Sequence, residues 1–182
     1  MQVFKHAVAV IATSTVYCLI YQLNEYAFAH LHYAQGAMWI FLPSGVRLAA
    51  VLILGGWGAL GIGLGAFVMA LLAEPAGDLG SVAGTALISG VSPLVALWIC
   101  QNKFKLDVEL TDFSASMLLK MTVIFAVVSP LLHQGWNFLQ GYTEHLLSSL
   151  LVMSTGDLIG TIIMFYVAKL FLSQLPRGLL TK

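Results

Sequence analysis

The chain has 182 residues, of which 59% are hydrophobic and only 9% are charged, and its formal net charge is zero. Soluble globular domains carry roughly 25% charged residues, so this composition excludes an ordinary soluble protein and is typical of an integral membrane protein. A neutral chain also gives no electrostatic reason to expect nucleic acid as a partner.

Six apolar segments have about the length that a helix needs to cross a bilayer, which is roughly 20 residues. In chain order, the predicted helices cover residues 7–23, 38–54, 57–72, 82–100, 114–132 and 147–172. Too little polar sequence remains for a soluble domain on either side. We therefore predict an all-α, polytopic membrane helix bundle, in which residues 1–182 form a single integral membrane domain without a soluble output domain.

The second predicted helix contains a break. Pro43 lacks a backbone donor and Gly45 relaxes the chain, so we expect this helix to bend or to be interrupted near these residues. The helix ends at Gly55 and Gly56, which connect it almost directly to the third helix. This connection predicts a tight antiparallel hairpin between helices two and three.

Small residues mark helix faces that can approach one another closely. Gly61 and Gly65 in the third helix have the small-xxx-small spacing, and Gly156 is a further small residue in the sixth. The spacing favours packing within the chain, while a dimerisation face or a substrate groove is the alternative.

The positions of lysine and arginine predict the orientation in the membrane. With the N-terminus inside, the outer loops 24–37, 73–81 and 133–146 contain neither residue, and seven of the eight basic side chains fall on the cytoplasmic side. These seven are Lys5, Lys103, Lys105, Lys120, Lys169, Arg177 and Lys182. Both termini are therefore predicted to be cytoplasmic.

The eighth basic residue, Arg47, lies within the second predicted helix, where a charge costs at least ~2.5–3.5 kcal/mol at the centre of a spanning helix. The other ionisable side chain deep in an apolar run is Asp157, in the sixth helix. Both helices are predicted to run from outside to inside. Because an α-helix rises about 1.5 Å per residue, the two side chains are expected at similar depth.

Two hypotheses follow for this charged pair. Arg47 and Asp157 form either a structural ion pair that fixes helix packing, or a polar pocket in which Arg47 receives an anionic ligand and Asp157 orients it. The hydroxyl groups of Ser44, Ser154 and Thr155 are available to complete either network.

Four histidines are predicted on the outer side: His30, His32, His133 and His145. A transition-metal site needs three or four converging ligands, and the His-x-His spacing alone is weak evidence for one. We expect solvated loop histidines and no metal or cofactor. The sequence contains no nucleophile motif and no phosphate-binding glycine loop, so no enzymatic activity is expected.

Two motifs resemble a known family. Leu42-Pro43-Ser44-Gly45-Val46-Arg47, followed by a second glycine-rich helix, and Gly156-Asp157-x-x-Gly160 are similar to elements of the MASE-type membrane-associated sensor domains. The Gly45-Val-Arg47-Leu portion resembles the membrane region of the hexose-phosphate sensor kinase. The resemblance extends over roughly residues 5–170. This chain lacks the proline that usually opens the helix after the tight turn, and it is shorter than the usual eight-helix module.

The resemblance implies a sensor-type fold. Because the sequence also predicts a polar pocket at Arg47 and no output domain, we expect a stand-alone sensory or regulatory module in a bacterial inner membrane. Such a module would bind a small, possibly anionic ligand or a membrane partner and signal to a separate effector at the cytoplasmic face; oligomers are compatible with this role. Two alternatives remain open: the solute-binding component of a small-molecule importer, and a structural accessory subunit of a membrane complex.

Overall fold

Six α-helices and a small β-hairpin make up the parts of the chain that the computed structural model describes, namely residues 2–34, 36–73, 78–104, 114–143 and 145–174. The helices are α1 (Gln2–Phe28), α2 (Pro43–Leu54), α3 (Gly56–Ala73), α4 (Leu79–Phe104), α5 (Ala115–Leu139) and α6 (Leu146–Ser173). Between α1 and α2, the antiparallel strands β1 (His32–Ala34) and β2 (Ala37–Met38) form the hairpin.

The predicted polytopic helical membrane bundle is confirmed. Five of the six helices, all except α2, are long and apolar enough to cross a membrane. Helix α2 has 12 residues, which corresponds to about 18 Å and is shorter than the ~30 Å hydrocarbon core. The prediction that the second helix begins at Met38 is wrong, because the helix begins at Pro43. Proline is well suited to the first turn of a helix, where its missing N–H is not needed.

The short helix α2 occupies the centre of the bundle. Around it, α1, α3, α4, α5 and α6 pack in that order, each against the next, while α2 itself contacts α1, α3, α4 and α6. Residues 43–48 of α2 are all buried. Helix α2 leads through Gly55, which has a φ of 55°, directly into α3, and there Gly58 lies close to the backbone carbonyl of Ala50. The shortest of the six α-helices, α2, therefore contacts four of the other five.

The residues that precede α2 lie in a groove on the surface of α6. A Cβ atom at Gly156 would collide with the carbonyl oxygen of Met38, and one at Gly160 would collide with that of Phe41. The Phe41 amide donates a hydrogen bond to the Gly156 carbonyl, at 3.2 Å. The two glycines of the Gly-Asp-x-x-Gly element thus form a backbone-width groove, which holds the segment 38–42 that precedes α2.

A buried asparagine on α1 also binds the segment that precedes α2. Asn24 is 0% exposed, and its Oδ1 accepts a hydrogen bond of 2.8 Å from the backbone N–H of Leu42, the residue that precedes α2. The N–H groups at a helix start have no partner within the helix, and the bilayer core offers no water to satisfy them. Asn24 therefore supplies an acceptor where the chain cannot obtain one from solvent.

The other glycines singled out by the sequence also lie at close contacts between helices. Gly61 faces Thr13, and Gly65 faces Ser14 and Tyr17, so this face of α3 packs against α1 within the chain. Gly45 lies against Met164 of α6. Small residues at these positions let α1 and α6 approach the central helices closely, which is how membrane helices gain dispersion energy.

Gly160→Ala is expected to lower the free energy of unfolding by about 1–3 kcal/mol, because the added methyl group must displace backbone rather than a flexible side chain. Gly135→Ala on α5 is the matched control, since a Cβ there meets nothing within 4 Å; it should be neutral or stabilising by up to about 1 kcal/mol. Unfolding in mixed micelles, followed by circular dichroism, measures both. Equal changes in the free energy of unfolding for Gly160→Ala and Gly135→Ala would contradict the close packing of Phe41 against Gly160.

Asn24→Ala is expected to destabilise the protein by about 1–3 kcal/mol, because the Leu42 N–H is left buried without an acceptor. The control is Asn102→Ala, which removes an exposed hydrogen bond to Trp98 on the same helix and should stay within about 0.5 kcal/mol of the unmodified protein. The same unfolding measurement compares them. A neutral Asn24→Ala would show that the start of α2 has another acceptor.

Candidate functional site

The central helix carries Arg47 into the middle of the bundle, where its side chain is only 1% exposed. Its Nε donates to the backbone carbonyl of Ser89 at 3.2 Å, and its Nη2 donates to the Ser92 hydroxyl at 2.6 Å. The guanidinium also lies over the ring of Phe125, with Cζ 5.3 Å from the ring centroid. A cation buried in this way gains from the carbonyl, the hydroxyl and the aromatic face together.

These contacts leave part of the guanidinium unused. A guanidinium has five N–H donors, and the two hydrogen bonds to α4 account for two of them. In the part of the chain that the structure describes, the remaining three have no hydrogen-bond acceptor. Arg47 is therefore held in place on one side and is able to donate on another.

Asp157 does not pair directly with Arg47. The ion pair found among the described residues is His32–Glu25, at 2.8 Å, and both carboxyl oxygens of Asp157 lack a hydrogen-bond partner there although the residue is 0% exposed. Arg47 still acts on Asp157 electrostatically. The direct structural ion pair is thus not formed, because the Arg47 side chain extends toward α4 instead.

A cavity of about 130 Å³ reaches Arg47. Its polar lining includes the side chains of Tyr17, Ser89 and His133, together with Arg47 itself. A second cavity of about 150 Å³ shares Tyr21, Gly36, Ala70, Thr85 and His133 with the first, so the two adjoin. The second, which we call the vestibule, extends to Ser81 and Tyr142 near the helix ends that are predicted to face outside.

His133 lies inside the bundle, and its predicted place in an outer loop is wrong. Helix α5 continues to Leu139, and His133 is 8% exposed. Its Nδ1 is 2.9 Å from the backbone carbonyl of Ser129, and its Nε2 is 3.1 Å from the Ser89 hydroxyl. Since a carbonyl only accepts, Nδ1 carries the hydrogen, and in the neutral ring Nε2 accepts from Ser89. His133 thereby ties α5 to the serine that holds Arg47.

Of the other three candidate histidines, only His32 lines the same cavity as His133. His30 and His145 are exposed, and His32 is bonded to Glu25 on α1. Residues 2–34, 36–73, 78–104, 114–143 and 145–174 contain no group of three or more His, Cys, Asp or Glu side chains that could hold a metal ion.

The three candidate hydroxyl groups have different surroundings. Ser44 Oγ lies 2.6 Å from the carbonyl of Phe41 and 2.9 Å from that of Asp157, and it accepts a bond of 3.0 Å from Thr161. It therefore joins α2 to α6. Thr155 donates to Leu151 on its own helix, at 2.8 Å, and neither Thr155 nor Ser154 lines the cavity.

Several site residues went unrecognised in the sequence. On α4 they are Thr85, Ser89 and Ser92, and on α5 there is Ser129, one turn before His133, which the sequence had indicated only as a weak metal-ligand candidate. Their spacings of i, i+4, i+7 and of i, i+4 place each set on one face of an otherwise apolar helix. A stripe of polar residues along one face of an apolar membrane helix is a sequence pattern from which these residues could have been predicted.

Comparisons with curated proteins and with solved structures gave no significant match. A family model, MASE1, matches residues 6–175, which includes both motifs described above. The resemblance noted in the sequence is confirmed, and the described helices are those of a multi-pass membrane protein. The chain belongs to the MASE1 family of membrane-associated sensor domains.

Proposed function

We propose that this membrane sensor domain detects a small ligand with an anionic group, which enters through the vestibule and binds Arg47. One observation carries the proposal: a permanently charged guanidinium lines a cavity, and three of its donors have no acceptor in the described part of the chain. A buried, charge-assisted hydrogen bond from Arg47 to an oxyanion is roughly twice as strong as a neutral one.

The size of the cavity limits the ligand. A dry protein cavity of about 150 Å³ holds a benzene molecule, so the 130 Å³ beside Arg47 suits a ligand of roughly six non-hydrogen atoms or fewer. A short carboxylate or a single tetrahedral oxyanion has this size, whereas drug-sized pockets are about 300–1,000 Å³.

The contacts of α2 provide a route for the signal. Ser44 joins α2 to the Asp157 carbonyl and to Thr161, and Gly45 lies against Met164. A shift of α2 that follows ligand binding at Arg47 would therefore displace α6. In our proposal the domain lies in a bacterial inner membrane, and α6 delivers the displacement to an effector at the cytoplasmic side. Membership in a sensor family favours this role over an importer component or an accessory subunit.

Chemical labelling of Thr85→Cys tests the proposal. Thr85 lines both cavities and lies one helical turn from Ser89, which holds Arg47. In a background with Cys18→Ala and Cys100→Ala, membrane-impermeant methanethiosulfonates of either charge are added to intact cells. Relative to a free thiol in solution, the anionic reagent should react on the order of 100-fold faster than the cationic one, because a unit charge ~10 Å away at an effective dielectric of 20 favours the anion and disfavours the cation by about 1.7 kcal/mol each. Arg47→Gln should abolish this preference.

Two controls accompany the labelling. Lys120→Gln removes a cation that lies over Phe104 instead of in the cavity, and it should leave the charge preference unchanged. Ser173→Cys, at the last residue of α6, should be labelled only after the cells are permeabilised. A Thr85→Cys that stays unlabelled, or a preference that persists in Arg47→Gln, would overturn the proposal.

A further inference from the structure

Two buried polar groups remain outside the network around Arg47. Both carboxyl oxygens of Asp157 and the hydroxyl of Ser129 lack hydrogen-bond partners among the described residues, and both residues are 0% exposed. Ser129 lies close enough to interact with the Asp157 carboxyl, although the geometry of a hydrogen bond is not reached. Native proteins seldom leave such groups unsatisfied, and the described part of the chain supplies no partner for the pair.

These groups lie directly beneath the cavity. Asp157 is one helical turn beyond Met153 on α6, and Ser129 is one turn before His133 on α5, while Met153 and His133 both line the cavity. Residues four apart share a helix face, so the orphan groups are only about 6 Å further along the bundle than its lining. A ligand that reaches both groups must displace the buried Met153 side chain, which accepts a hydrogen bond of 3.5 Å from Gln134, and an unbranched thioether is a side chain that adapts readily to such a change.

The balance of charge narrows the chemistry of the ligand. Among the described residues that line the cavity and the vestibule, Arg47 is charged, His32 is already bonded to Glu25, and there is no Lys, Asp or Glu. A simple anion would pair with Arg47 and leave Asp157 without a partner. A simple cation would pair with Asp157 and leave the free donors of Arg47 without a partner. A molecule that carries both charges supplies a partner to each residue and adds no net charge to the membrane interior.

We infer that the cavity takes a small zwitterion of amino-acid chemistry, with its carboxylate on Arg47 and its ammonium group on Asp157 and Ser129. Glycine and alanine are within the size that the cavity admits. The inference rests on the proposed function and deepens it, because it adds a second charged group to the anionic ligand.

Binding of glycine, acetate and methylammonium to the protein in lipid nanodiscs, measured by calorimetry, tests the inference. Acetate has the carboxylate alone and methylammonium has the cation alone. Glycine should bind at least tenfold more tightly than either. In Asp157→Asn the affinity for glycine should fall to that for acetate, and in Arg47→Gln the affinity for both should be lost. The control Asp78→Asn changes an acid outside the cavity, which accepts from the Ser81 amide, and should change neither affinity.

The outcomes separate the two proposals. Acetate binding as tightly as glycine, with loss of both in Arg47→Gln, would overturn the zwitterion and leave the anion proposal standing. No binding of any of the three compounds would overturn both. The comparison of glycine with acetate uses the unmodified protein, so it decides the question even if Asp157→Asn does not fold. Where that variant folds, unchanged glycine binding would overturn the role of Asp157.

Discussion

The structure depends on the docking of segment 38–42, which precedes α2, in the Gly156–Gly160 groove of α6. A backbone that is not helical cannot face lipid, because the hydrocarbon core offers no partner for its polar groups. Here the Phe41 amide bonds to the Gly156 carbonyl and the Leu42 amide bonds to Asn24. The chain can therefore enter the bundle without forming a helix and begin α2 only at Pro43.

The late start of α2 explains the position of the charge. Arg47 falls in the second turn of a helix surrounded by α1, α3, α4 and α6, so its guanidinium meets protein groups instead of lipid. The cost of burying the cation is offset by the Ser89 carbonyl, the Ser92 hydroxyl and the Phe125 ring, without a neutralising carboxylate. Asp157 is held apart, so it does not occupy the guanidinium donors that face the cavity. An ion pair would have satisfied the two residues and closed the site.

Much of the fold could be predicted because membrane helices follow directly from hydropathy. The predicted helix of residues 57–72 is observed as Gly56–Ala73, and that of 147–172 as Leu146–Ser173. The start of α2 could not be placed, because Pro43 is equally compatible with a kink and with a first turn, and the choice depends on a groove in a distant helix. For Arg47 and Asp157, the rise per residue predicts depth. Which neighbouring helix a side chain points toward depends on how the helices pack, and the sequence alone does not give that packing.

Hydrogen exchange of the Phe41 and Leu42 backbone amides in lipid nanodiscs tests the central claim most directly. Both amides lie outside regular helix, yet each has a buried acceptor on another helix. They should therefore exchange as slowly as those of Val152 and Met153 within α6. Exchange as fast as that of a solvent-exposed amide without a hydrogen bond would contradict the docking of the segment in the groove, and with it the position assigned to Arg47.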